Sequence, residues 1–180
     1  MCAPVKRLLL PMLFLAAASC SEETGADAAA ADAATARAVA AADLYDDSDC
    51  NLSTPLVEGV PGSPGNLIPS DRNPNGDSEL AVLMRRFVDD LREARLMIEA
   101  GQPLKPLFPT HRKMRCAWPT VPAERDEAYD GRAKTYLTAV RAFDEAPGKH
   151  TYNAVVTGCV ACHTVSCGGV IPLIETLQWQ

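Results

Sequence analysis

The stretch DSELAVLMRRFVDDLREARLMIEAG, residues 77–101, decides the fold. Asp77 or Ser78 offers an N-cap, and Glu79 places a negative charge in the first turn, where a helix end favours it. Leu80, Met84, Phe87, Leu91, Ala94 and Ile98 then recur every three or four residues, the period of one helix face. Gly101 and Pro103 stop the helix. Beyond it, Pro103, Pro106, Pro109, Pro119 and Pro122 leave no room for a long helix between residues 101 and 123. The helical period resumes in AERDEAYDGRAKTYLTAVRAFDEA, residues 123–146, through Tyr129, Ala133, Tyr136 or Leu137, Val140 and Phe143. Pro147-Gly148 breaks the chain, a further helix starts near Lys149, and Gly168-Gly169 ends it. Pro172 opens a short last helix running toward Trp179. No stretch alternates with β-branched residues. The pattern predicts an all-α, four-helix-bundle-like domain over residues 77–180, with its second helix short or missing.

Residues upstream read differently. Residues 21–42 (SEETGADAAAADAATARAVAAA) are alanine-dominated and carry no large apolar stripe to bury. Residues 51–76 (NLSTPLVEGVPGSPGNLIPSDRNPNG) are rich in Pro, Gly, Asn and Ser, which marks loop. Residues 20–76 are therefore expected to be a flexible tether and irregular lead-in, with a reach of about 40 Å as a free coil. Leu52, Leu56, Val57, Leu67 and Ile68 are the residues in it fit to lie against the domain.

Residues 1–19 (MCAPVKRLLLPMLFLAAAS) have the layout of a secretory signal: Lys6 and Arg7, then an apolar run too short to span a bilayer. The ending AAASC resembles a bacterial lipoprotein signal, which implies acylation of Cys20, a membrane anchor and a periplasmic or other extracytoplasmic location. No later segment is long and apolar enough for a transmembrane helix. Removal of residues 1–19 takes away Lys6 and Arg7 and leaves 15 Lys and Arg against 23 Asp and Glu, a formal charge of −8. Without a basic cluster to neutralise phosphates, nucleic acid is not an expected partner.

The chemistry-bearing motif is CVACH, residues 159–163, on the third long helix. Tyr152, Val156, Cys159 and His163 share a face, with Val155 and Cys162 beside it. Cys159 and Cys162 have the spacing to form thioethers with the two vinyl groups of one haem, and His163 to ligate its iron. A dithiol catalyst would want a βαβ context that is not present. Zinc would need a fourth ligand, for which Cys167, His111 or His150 stand without a second half-motif. A disulfide between Cys159 and Cys162 is awkward inside a helix. Free thiols in an oxidising compartment favour haem c.

A helical domain of this size with YNAVVTGCVACHTV on its last long helix resembles the class II cytochromes c, the cytochrome c-prime and cytochrome c556 group. The resemblance implies a haem-binding bundle that transfers electrons to protein partners, rather than an enzyme, with a homodimer left open. It also implies a methionine from the first bundle helix as sixth ligand in low-spin members. Met84, on the apolar stripe, is the candidate; Met97 is off the stripe. Without a sixth ligand, the iron would be open to small gases such as nitric oxide. The chain departs from the family in its proline-broken second segment and in Thr164, Val165, Ser166 and Cys167 after the motif, where the family often carries an aromatic and a basic residue. No Lys or Arg follows Lys149.

With Cys2, Cys20, Cys159 and Cys162 set aside, Cys50, Cys116 and Cys167 cannot all pair. Cys116–Cys167 would staple the loop to the bundle, and Cys50–Cys167 would tie down the lead-in. Trp118 reads as a packing anchor for the loop, and His111 and His150 as solvated loop residues.

Overall fold

The computed structural model describes residues 44–180; the signal-like residues 1–19, Cys20 and the alanine-rich stretch lie outside the described residues. The domain is all-α, in the order α1 (Glu79–Glu99), α2 (Phe108–His111), α3 (Glu127–Glu145), α4 (Lys149–His163) and α5 (Ile171–Glu175). Short 3-10 turns at Arg112–Cys116, Pro122–Glu124 and Gly168–Val170 complete it.

Each helix begins where local chemistry dictates. Ser78 caps α1, its hydroxyl accepting the Ala81 N–H at 3.1 Å. Asp126 caps α3 by accepting the Tyr129 N–H at 2.7 Å. The second helix is short, as the prolines require: α2 has four residues, with Pro109 in its first turn. Asp144 of α3 accepts the N–H groups of Leu107 and Phe108, both at 2.8 Å, so a carboxylate from a neighbouring helix does the capping. Pro172 sits in the first turn of α5.

The core forms where the stripes meet. Leu91 and Phe87 of α1, Ala133, Tyr136, Leu137, Val140 and Phe143 of α3, and Tyr152, Val155 and Val156 of α4 are all buried. Full burial of one such aliphatic or aromatic side chain contributes about 1.5–3 kcal/mol. The most extensive helix pair is α3 with α4. Gly158 permits that approach: a Cβ there would lie 3.3 Å from Tyr136 Cδ2.

The described part of the lead-in, residues 44–76, is irregular but fixed to the domain rather than a free coil. Cys50 is buried and forms a disulfide with Cys116. This corrects both pairings weighed from sequence, since Cys167 is unpaired and exposed. The reason is electrostatic docking of the lead-in: Arg112 pairs with Asp49, and Arg115 bonds both Asp47 and Asp130. Arg125 donates to the carbonyls of Asn51 and Thr54 at 2.7 and 2.9 Å. Gly62 adopts φ +92°, and a Cβ on it would collide with the Glu79 backbone N at 2.3 Å; only glycine lets the lead-in cross the start of α1 there. Trp118 anchors the loop, as expected, donating from its indole N–H to the Val57 carbonyl at 2.6 Å.

Candidate functional site: a cavity behind the CVACH helix

The C-terminal end of α4 borders a cavity of about 290 Å³. That volume stands at the lower edge of the roughly 300–1,000 Å³ typical of small-molecule pockets. Its α1 wall is Leu80, Met84, Phe87, Val88 and Leu91, and its far wall Val170, Leu173, Ile174 and Leu177. Cys159, Cys162 and His163 line it from α4. The three motif residues and Met84, seventy-five or more positions apart in the chain, thus face one apolar space.

The two motif thiols are unpaired and half-buried. Burial pushes the Cys159 thiol up to about 12, opposed by its hydrogen bond with Tyr136. At neutral pH it is a protonated thiol, not the low-pKa thiolate that a dithiol exchange catalyst uses. Burial lowers the pKa of His163, opposed by backbone groups of Cys167 and Ser166. The ring is therefore held neutral, the form that binds a metal. Its Nδ1 is buried with no hydrogen-bond partner. Among the described residues no group of three His, Cys, Asp or Glu is assembled to hold an ion by itself. After His163 the chain turns sharply: Cys167 adopts φ 61°, in the left-handed region, and leads into Gly168–Val170.

Three residues were read differently from the sequence or passed over. His111 is no solvated loop residue: it is fully buried, its ring stacked on Phe87 with centroids 3.8 Å apart. Its Nδ1 lies 2.7 Å from the Tyr136 hydroxyl, and its Nε2 3.4 Å from an Asp90 carboxylate oxygen without good hydrogen-bond alignment. Burial lowers its pKa, with Asp90 and Asp144 opposing. His150 is exposed, as expected, but it belongs to the first turn of α4. Met114, from the 3-10 turn Arg112–Cys116, is buried and lines the cavity, so a second thioether shares the space with Met84. No periodicity marks Met114 in a proline-broken segment; its proximity to Cys116 was the one available signal. Met97 is half-buried and away from the cavity.

Tyr129 and Tyr136 of α3 close the remaining wall. Tyr129 donates its hydroxyl to the Met114 carbonyl at 2.8 Å. Burial raises the pKa of both phenols, so both remain neutral donors.

Comparison with protein-family models, with curated proteins and with solved structures gave no match.

Proposed function

We propose that this domain is a divergent class II-type cytochrome c, carrying one haem c bound through Cys159 and Cys162, with His163 as proximal iron ligand, and working in electron transfer. The observation that carries the reading is the convergence of two unpaired thiols, one neutral imidazole and the Met84 thioether on a single apolar cavity. The residues fit the group. The thiols are available for thioether formation, the imidazole is held unprotonated, and the walls are largely apolar. A haem there would supply a one-electron ferric–ferrous couple. The chain's part is to hold it at two covalent points, to fix the imidazole at the end of α4, and to present a thioether from α1. Met114 competes with Met84 for that last role. The protonated state of the buried Cys159 thiol speaks against the dithiol alternative, and a zinc protein would have to recruit a ligand from outside the motif.

The signal-like residues 1–19 and Cys20 support export and a lipid anchor, and the Cys50–Cys116 disulfide fits an oxidising compartment. Among the described residues no helix is long and apolar enough to cross a membrane.

The test is production of the full chain in a host that attaches haem c, followed by oxidised and reduced absorption spectra and acid–acetone extraction. The reading expects a Soret band that stays with the protein. An extractable haem, or no Soret band under competent maturation, overturns it. A high-spin spectrum with ready carbon monoxide binding instead favours a gas-binding module.

A further inference from the structure

Two guanidinium groups line the cavity, Arg85 and Arg132. Arg85 is engaged: it forms a two-pronged pair with Asp77, itself buried. Arg132 is not. It sits on α3 between Tyr129 and Tyr136, which share its helix face and the same wall of the cavity. Its Nε is buried and has no hydrogen-bond partner. Among the described residues, every other arginine except the exposed Arg72 bonds a carboxylate or a backbone carbonyl. Acidic side chains are in excess in this chain, so partners for Arg132 were not scarce. Glu124 is the one carboxylate among the lining residues, and it makes no ion pair with Arg132.

An arginine with a buried donor left unmatched loses hydration without replacement, which is unfavourable unless something else completes it. What completes a planar guanidinium best is a carboxylate. The C-terminal elements bordering the cavity offer no alternative cation, since no Lys or Arg follows Lys149. We propose that Arg132 is the carboxylate-binding group of this cavity, anchoring a propionate-type carboxylate on a planar apolar ligand whose body lies among Met84, Leu91, Ile174 and Leu177. The assignment rests on the haem reading above and adds to it which residue receives the ligand's acidic edge.

The experiment uses the full chain without haem, its thiols kept reduced, titrated with metal-free protoporphyrin and with its dimethyl ester; binding is read from the Soret shift. Absence of iron keeps His163 and the methionines out of the measurement. Wild type is expected to prefer the diacid by at least about tenfold, the scale of one charge-assisted hydrogen bond. Arg132→Gln should abolish the preference while leaving diester binding unchanged. Arg132→Lys should keep part of it, and Arg72→Gln all of it. Equal binding of diacid and diester by wild type overturns the proposal without recourse to any variant. So does a preference that survives in Arg132→Gln with its helical circular dichroism intact. If neither porphyrin binds, the cavity does not take a tetrapyrrole, and the haem reading fails together with the anchor.

Discussion

The side of the domain that faces the lead-in and the side that faces the cavity are built differently, the first on ion pairs and a disulfide, the second on apolar walls. On the first, the charged groups are paired, and the buried atoms without a partner are Ser63 Oγ and Arg141 Nε. Arg115 holds Asp130 and Asp47, Arg112 holds Asp49, Arg125 fills two carbonyls, and Cys50 is bonded to Cys116. On the second, polar atoms are left over: the thiols of Cys159 and Cys162, Nδ1 of His163 and Nε of Arg132. Buried polar groups without partners are unfavourable. Of the five such nitrogen and oxygen atoms among the described residues, His163 Nδ1 and Arg132 Nε lie on cavity-lining residues, where a ligand could reach them, and Ser63 Oγ, His111 Nε2 and Arg141 Nε do not.

The lead-in side is broken most severely at Arg115. Arg115→Ala leaves Asp130, whose carboxyl the Arg115 guanidinium holds below the usual carboxylate range, with the more exposed Lys134 as its remaining partner, and should remove about 3–5 kcal/mol in urea denaturation. A loss below about 1 kcal/mol would mean that packing, not ion pairing, secures this side. The disulfide comes next. Its two cysteines are 66 positions apart, so Cys50→Ser with Cys116→Ser should lower stability by roughly 4 kcal/mol through the freed unfolded chain. Reduction of wild type should reproduce that figure, and no change on reduction would show that the lead-in contributes nothing.

On the cavity side the effects are smaller and different in kind. Met114→Ala removes a buried side chain beside space that already exists, and should cost about 2 kcal/mol. With haem attached, the spectra of Met84→Ala and Met114→Ala separate the two thioethers: conversion from low to high spin should occur in Met84→Ala alone. Conversion in Met114→Ala instead would move the sixth ligand to the 3-10 turn.

Acid should distinguish the sides as well. Asp77 and Asp130 have lowered pKa values, through Arg85 and Arg115 respectively. Their contribution is present above the unfolded value of about 3.9 and is lost as pH falls through the lowered folded values. His111 acts earlier. Burial lowers its folded pKa, so below about pH 6.5 the unfolded chain takes up a proton that the folded one refuses, and stability declines as pH drops. His111→Gln should reduce the slope of the stability profile between pH 7 and 5, the lowered pKa of His163 supplying the remainder, and leave the steeper acid limb intact. A slope unchanged in that variant would put the proton elsewhere. The smallest effect is expected at Gly158→Ala. Better helix propensity offsets the contact with Tyr136, and the net should stay within about 1 kcal/mol by thermal melting.

The helices were legible because their stripes are periodic: the residues read as the core face of α3, from Ala133 through Tyr136 to Phe143, are the ones buried. The Ser78 cap and the short second helix followed from equally local chemistry, a hydroxyl before an apolar run and a cluster of prolines. His111 was not legible, because its burial depends on Phe87 and Tyr136, 24 and 25 positions away, and no local pattern encodes such a contact. Cys50–Cys116 was hidden for a similar reason. A Pro- and Gly-rich lead-in has the composition of a linker, and long-range contacts, such as those of Asp47 and Asp49 with arginines of the 3-10 turn and of Arg125 with Asn51 and Thr54, make it part of the domain. In the candidate site, the motif announced itself by spacing and Met84 by its stripe. Met114 and Arg132 became visible only when the walls of the cavity were assembled.

The disulfide also bears on which thiols pair. In an unstructured chain, Cys159 and Cys162 are far nearer to each other than Cys50 is to Cys116, and closing the shorter ring carries the smaller entropic penalty. An indiscriminate oxidant would join the nearer pair first. The structure has the reverse outcome, with the distant pair bonded and the close pair reduced. The pairing therefore follows the fold rather than the chain: α4 sets Cys159 and Cys162 along a rigid rod, where a disulfide is awkward, and the docked lead-in brings Cys50 onto Cys116.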